Sequence, residues 1–107
     1  MSLNVRLQNE EGEELYWANI THNLAIMAKK AGIYEALWHP EQIKATKASD
    51  IIDIVDEGLQ KMINSPEHYS RYDSPNGWGL YNHFIPWLEK YLQALRENPD
   101  ASIKVSV

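Results

Sequence analysis

Between Leu15 and Ala28 the chain carries no charged side chain, yet three polar residues, Asn19, His22 and Asn23, stand there among apolar neighbours. Read as a helix, Tyr16-Trp17-Ala18-Asn19-Ile20-Thr21-His22-Asn23-Leu24-Ala25-Ile26-Met27-Ala28 turns apolar groups in nearly every direction around its axis. That is how a core helix reads, not a surface one. At helical spacing Asn19 neighbours both His22 and Asn23 on one face. A polar group buried there must find a hydrogen-bond partner or cost about 1–3 kcal/mol. The stretch predicts a helix from about Glu13 to Ala31, stopped by Gly32, with its polar trio enclosed and bonded. Lys29 and Lys30 fall in the last turn, where they suit the helix dipole.

The remaining elements follow from periodicity. Leu3, Val5 and Leu7 alternate with Asn4, Arg6 and Gln8, which reads as a short strand. The acidic stretch Glu10-Glu11-Gly12-Glu13-Glu14 reads as a solvated turn. Tyr34 to Trp38 forms one short helical turn, closed by His39-Pro40, because the residue before proline avoids helix. A second long helix follows, beginning near Pro40 and strongest from Ala48 to Asn64. Ile51, Ile52, Val55, Leu59, Met62 and Ile63 make its apolar stripe, with Asp50, Asp53, Asp56, Glu57 and Lys61 opposite. Ser65-Pro66 opens a brief turn or helix through Tyr72, and Asp73-Ser74-Pro75-Asn76-Gly77 is dense turn chemistry. A third long helix runs from near Gly79 to Glu97 with Pro86 inside it. Ile103, Val105 and Val107 alternate with Ser102, Lys104 and Ser106 as a final strand. Neither terminal strand satisfies its backbone alone, so the two are expected to pair. Three antiparallel helices between them would make that pairing parallel. The expected fold is a mainly α (α+β) domain spanning residues 1–107, with three main helices, short helical turns and a two-stranded terminal pairing.

A chain of 107 residues with 44% hydrophobic side chains and four Trp supports one real core. The net charge of −5 disfavours nucleic acid, whose binders neutralise phosphates, and an anionic membrane surface as well. Cysteine is absent, which excludes disulfides, thiol catalysis and zinc sites built on Cys. No apolar run approaches a membrane span and no signal-peptide core is visible, so a cytoplasmic protein is expected.

The second unusual segment is Asn76-Gly77-Trp78-Gly79. Two glycines permit close backbone approach, and Trp78 between them carries an N–H that needs an acceptor. Two readings compete. In one, this loop docks on the Asn19–Asn23 segment and the polar groups satisfy each other as a structural network, as buried polar groups usually do. In the other, Asn19, His22, Asn23, Asn76 and Trp78 line a ligand-binding pocket. The location of His22 discriminates: a network encloses it with both ring nitrogens bonded, whereas a pocket leaves it open to a concavity.

These segments carry a resemblance. Asn19-Ile20-Thr21-His22-Asn23-Leu24, Met27-Ala28, Ala31-Gly32-Ile33-Tyr34, Leu37-Trp38 with Pro40, Asn76-Gly77-Trp78-Gly79-Leu80-Tyr81, Tyr91-Leu92 and Pro99-Asp100-Ala101-Ser102-Ile103 with Val105-Ser106 resemble the pattern of a family of small uncharacterised bacterial and phage proteins. The chain departs from that pattern at His39 and at Val107. The resemblance implies a prokaryotic or phage, cytoplasmic context and brings no chemistry with it.

Catalytic motifs are sparse. His22, His39, His68 and His83 form no H-x-x-x-H or H-E-x-x-H, although His22 and His83 sit on segments that can converge. Asp50, Asp53, Asp56 and Glu57 have the residue types of a magnesium site but read better as a solvated helix face. No G-x-S-x-G elbow and no Gly-rich phosphate loop is present. No metal and no cofactor is expected. The reading that follows is a non-enzymatic accessory or interaction protein, with a protein or a small molecule as partner. The alternative is a small-molecule-binding or metal-dependent hydrolytic enzyme built on the pocket residues.

Overall fold

The N-terminal strand sets the layer on which everything else packs. In the computed structural model, which describes residues 2–107, β1 (Ser2–Gln8) buries Leu3, Val5 and Leu7 completely and turns Asn4, Arg6 and Gln8 to the other face. Asn9 then reverses the chain. Its side-chain Oδ1 accepts from Glu11 N at 3.0 Å and from Glu13 N at 2.9 Å, an Asx-type turn that places the acidic stretch at a solvated hairpin tip.

What leaves this turn is a strand, not the expected helix. β2 (Glu14–Thr21) pairs antiparallel with β1, matching Leu3 to Ile20, Val5 to Ala18 and Leu7 to Tyr16. The uncharged run therefore obeys a two-residue period: Ala18 and Ile20 are buried, while Trp17 and Asn19 face outward. The apparent all-round apolarity came from Leu15 and Trp17, which are 44% and 50% exposed on the outer face. Aromatic and β-branched residues at Tyr16, Trp17, Ile20 and Thr21 suit a pleated surface. Helix begins only after this, with a 3-10 turn at His22–Leu24 and α1 (Ala25–Lys30).

The terminal strands do pair, but within a sheet of three. β3 (Ser102–Ser106) lies antiparallel on the other side of β1, with Val5 opposite Val105, giving the order β2-β1-β3. The two-stranded pairing and its parallel sense are thereby corrected. The hairpin adds one reversal that a helix count omits. The outer edge of β3 is partly covered, since Ile103 N donates to Thr46 O at 3.0 Å.

Helices close the inner face. α2 (Tyr34–Trp38) is followed by two 3-10 turns at Pro40–Ile43 and Ala48–Asp50, then α3 (Ile52–Asn64), α4 (Pro66–Ser70) and α5 (Tyr81–Glu97). The second long helix thus starts at Ile52 and not near Pro40. Two long helices and three short ones replace the three main helices expected. The proline at 86 lies inside α5 and has no N–H to donate to the carbonyl of Asn82, itself an exposed residue. α3 and α5 bury Val55, Leu59, Met62, Phe84, Leu88, Tyr91 and Leu95 against the sheet. Gly58 lets α3 approach closely, because a Cβ there would overlap Ile33 Cγ2. Among the described residues no helix is long and apolar enough to cross a membrane.

Candidate functional site

The strand-to-helix corner after β2 and the loop before α5 meet beside the N-terminal half of α5. They enclose an open cavity of about 1010 Å³ lined by Asn19, His22, Asn23, Asn76 and Trp78, all five residues singled out in the sequence. Joining them are Ser2, Ile20, Thr21, Leu24, Gly77, Gly79, His83 and Trp87. None of these thirteen residues is Asp, Glu, Lys or Arg.

Each polar member is anchored on one side. Asn19 lies on the outer face of β2, exposed and not enclosed. Its Nδ2 donates to Ser2 Oγ at 2.8 Å, Asn4 Oδ1 at 3.0 Å and Leu3 O at 3.3 Å. His22 is half-buried. The indole Nε1–H of Trp38, itself buried, donates to His22 Nδ1 at 2.8 Å. An indole nitrogen can only donate, so Nδ1 is the unprotonated nitrogen and the neutral ring carries its proton on Nε2. That Nε2 has no partner among the described residues. It is also not one of the buried unpaired atoms, so it reaches solvent at the cavity.

Asn23 and Asn76 hold the loop. Asn23 Nδ2 donates to Trp78 O at 2.8 Å, and Trp78 N donates to Asn76 Oδ1 at 2.9 Å, an oxygen that also accepts from Ser74 Oγ at 2.7 Å. Gly79 makes the docking possible. Its φ is +108°, and a Cβ on it would sit 2.8 Å from Asn23 Cβ, closer than carbon atoms tolerate. The start of α5 is tied to the same loop, since Tyr81 N donates to Asp73 Oδ1 at 2.7 Å. The Trp78 backbone is thus clamped while the residue is 71% exposed, the most exposed large apolar residue among the described residues.

The expected enclosure of the polar trio is corrected by this geometry. His22 bonds Trp38 and not the Asn76–Gly79 loop. Asn23 is the residue that reaches the loop backbone. Strand geometry sends Asn19 to the opposite face from Ala18 and Ile20, so Asn19 and Asn23 do not share a helical face.

Trp87 and His83 lie outside the five pocket candidates, although the sequence allows His83 to converge with His22 as a metal site. They sit four apart on α5 and so share one side of it, a spacing that was legible. Trp87 Nε1 donates to Asn19 O at 3.0 Å, and its ring packs on Phe84 and Tyr91 at centroid distances of 6.2 and 5.4 Å. Behind it, the Tyr91 hydroxyl is buried without a hydrogen-bond partner. Burial, and then the nearby Tyr16, hold that hydroxyl well above its ordinary ionisation range.

Two carboxylates of the α3 region have protein partners. Asp50 Oδ2 accepts from Thr46 N and Lys47 N, both at 3.0 Å, and these backbone bonds hold its carboxyl below the usual range. Asp56 Oδ2 lies 3.5 Å from Arg96 Nη2. His22 and His83 do come to one cavity, but among the described residues no three His, Asp or Glu side chains converge to hold a metal ion. Comparison with protein-family models, with curated proteins and with solved structures gives no match.

Proposed function

We propose that this protein is a non-enzymatic accessory protein whose pocket captures an uncharged small ligand. The observation that carries this is the character of the lining: a chain with 23% Asp, Glu, Lys and Arg contributes none of them to this cavity of about 1010 Å³. An ionic ligand held there would lose hydration with no carboxylate, ammonium or guanidinium to offset it. A neutral ligand needs apolar surface and a few convergent polar groups, which is what Trp78, Trp87, His22 and the asparagines supply.

Catalysis has little to work with. A nucleophile needs an adjacent base oriented by a third group. Thr21 Oγ1 accepts from Asn23 N at 3.2 Å, Ser2 Oγ accepts from Asn19 Nδ2, and His22 Nδ1 is occupied by Trp38. Among the described residues no carboxylate is hydrogen-bonded to His22 or His83. The motif resemblance to small bacterial and phage proteins supports a prokaryotic or phage origin and a cytoplasmic setting for this role.

The test is a ligand-observed NMR screen of a fragment library divided into neutral, anionic and cationic sets. Neutral fragments bind saturably, and Asn23→Leu or Trp78→Ala abolishes their signal. Hits confined to charged fragments, or neutral hits that persist in both variants, overturn the proposal.

A further inference from the structure

We infer that the ligand is a neutral carbohydrate whose ring stacks on the Trp78 indole, an inference that rests on the uncharged-pocket reading above. The first ground is the presentation of Trp78. Its N–H and C=O are bonded to Asn76 Oδ1 and Asn23 Nδ2 at 2.9 and 2.8 Å. The residue above this clamp is 71% exposed and lines the cavity. A folding core buries indoles, since each hides a large apolar area. A fixed backbone beneath a bare ring is instead a preformed platform, with little ordering left to do on binding.

The second ground is the hydrogen-bond pattern left over. The protein bonds already made settle which amide atom is which. Asn19 Nδ2 and Asn23 Nδ2 donate to carbonyls, so the Oδ1 atoms of Asn19 and Asn23 are acceptors without partners among the described residues. Asn76 Oδ1 accepts a backbone N–H, so its NH₂ remains a donor. His22 Nε2–H is a second donor. Two acceptors and two donors with no charge suit hydroxyl groups, each of which donates and accepts at once.

The third ground separates a sugar from a flat heteroaromatic ring. A nucleobase is best held between two aromatic faces. Here Trp87 is not a second free platform: its N–H is bonded to Asn19 O and its ring is packed on Phe84 and Tyr91. One bare indole beside a ring of amides matches a pyranose, which has an apolar C–H face and a polar rim. The cavity of about 1010 Å³ is at the upper end of small-ligand sites, about 300–1,000 Å³, so two or three linked rings are accommodated. The lining offers no Lys or Arg to a phosphorylated or acidic sugar, which favours the uncharged ones.

The test uses the full chain on an array of uncharged glycans, followed by tryptophan-fluorescence titration of the hits, with adenosine and glucose 6-phosphate as comparison probes. The expected result is saturable binding of one or more neutral oligosaccharides, no binding of glucose 6-phosphate, and an affinity lowered about tenfold in Trp78→Ala. Trp17→Ala, which removes an exposed indole outside the cavity, leaves the affinity unchanged. Because Trp78 is exposed, its removal spares the fold; circular dichroism checks this. Adenosine or another neutral heteroaromatic binding at Trp78 with no glycan hit overturns the carbohydrate assignment and leaves the neutral pocket standing. No neutral probe binding at all overturns both. Glycan binding that Trp78→Ala does not weaken overturns the stacking geometry on which the inference is built.

Discussion

The indole N–H of Trp38 reaches 2.8 Å across the core edge to His22 Nδ1, and this one bond decides which face of the imidazole meets the cavity. Trp38 is itself held by stacking on Tyr34 at 5.4 Å, over which Lys29 Nζ lies at 4.6 Å. A rigid donor thus assigns the histidine its tautomer and its orientation together.

Trp38→Phe keeps the aromatic bulk and removes the donor. The variant loses about 1–3 kcal/mol, the cost of leaving a half-buried acceptor unpaired. Long-range ¹⁵N NMR reports the Nε2–H form for His22 in the parent and a mixture of tautomers in the variant. A parent ring protonated on Nδ1 contradicts the bond.

Tyr91→Phe deletes a buried hydroxyl that has no partner. Urea melts at neutral pH show unchanged or increased stability, because no hydrogen bond is lost and a desolvated polar group disappears. In alkali the two proteins diverge. The Tyr91 hydroxyl ionises less readily in the folded chain than at its ordinary value of 10.0. The stability it contributes is therefore complete below pH 10 and is lost as the pH rises above it. Tyr16 and Tyr81, also held above 10.0 by burial, add to the same loss. Tyr91→Phe removes the largest part of that alkaline slope; an identical slope in the variant contradicts the assignment.

Asp50→Ala removes the acceptor for Thr46 N and Lys47 N and lowers the urea midpoint. The Asp50 carboxyl is held below its ordinary value of 3.8 by those backbone bonds. Its contribution is present above that value and fades as the pH falls below it. Asp53→Asn, on the exposed face of α3, leaves the midpoint unchanged. Adding Mg²⁺, Mn²⁺ or Zn²⁺ does not raise the melting temperature, since binding to the native state would stabilise it by mass action. A saturable rise that Asp53→Asn abolishes contradicts the reading of this face as solvated.

Gly79→Ala combines a φ of +108° with a methyl 2.8 Å from Asn23 Cβ. The strained backbone alone costs about 1–3 kcal/mol, and the loop must also move off Asn23. The expected result is lower stability together with a changed Trp78 fluorescence. Gly77→Ala, with positive φ but no atom near the new Cβ, perturbs the site less. Equal effects from the two substitutions would show that the contact with Asn23 does not hold the loop.

Much of the fold was legible wherever local period and burial agree. Leu3, Val5 and Leu7 alternate as a strand and are one. The apolar stripe of Val55, Leu59 and Met62 is a helix face in the core. Asn76-Gly77-Trp78-Gly79 was legible as a special loop because two glycines around a tryptophan have no use in a regular element. Asn19, His22, Asn23, Asn76 and Trp78 stood out in the sequence as polar residues in an uncharged run and a tryptophan flanked by glycines, and they line one cavity. Their geometry was not legible. Leu15 and Trp17 are apolar side chains on the outer face of a sheet, and that exposure disguised a two-residue period as all-round apolarity.

The sequence by itself determined which segments carry apolar faces, where the chain turns, and which polar residues lie outside any charged setting. Those properties reside in single residues and their near neighbours. Only the tertiary structure decided that residues 14–21 form a strand, because a strand's backbone is satisfied by a partner distant in the chain, here β1. The same is true of the site. Trp38, sixteen residues from His22, selects the tautomer, and Trp87, sixty-eight residues from Asn19, closes the cavity wall. Hydrogen bonds across such separations leave no periodic signature in a sequence.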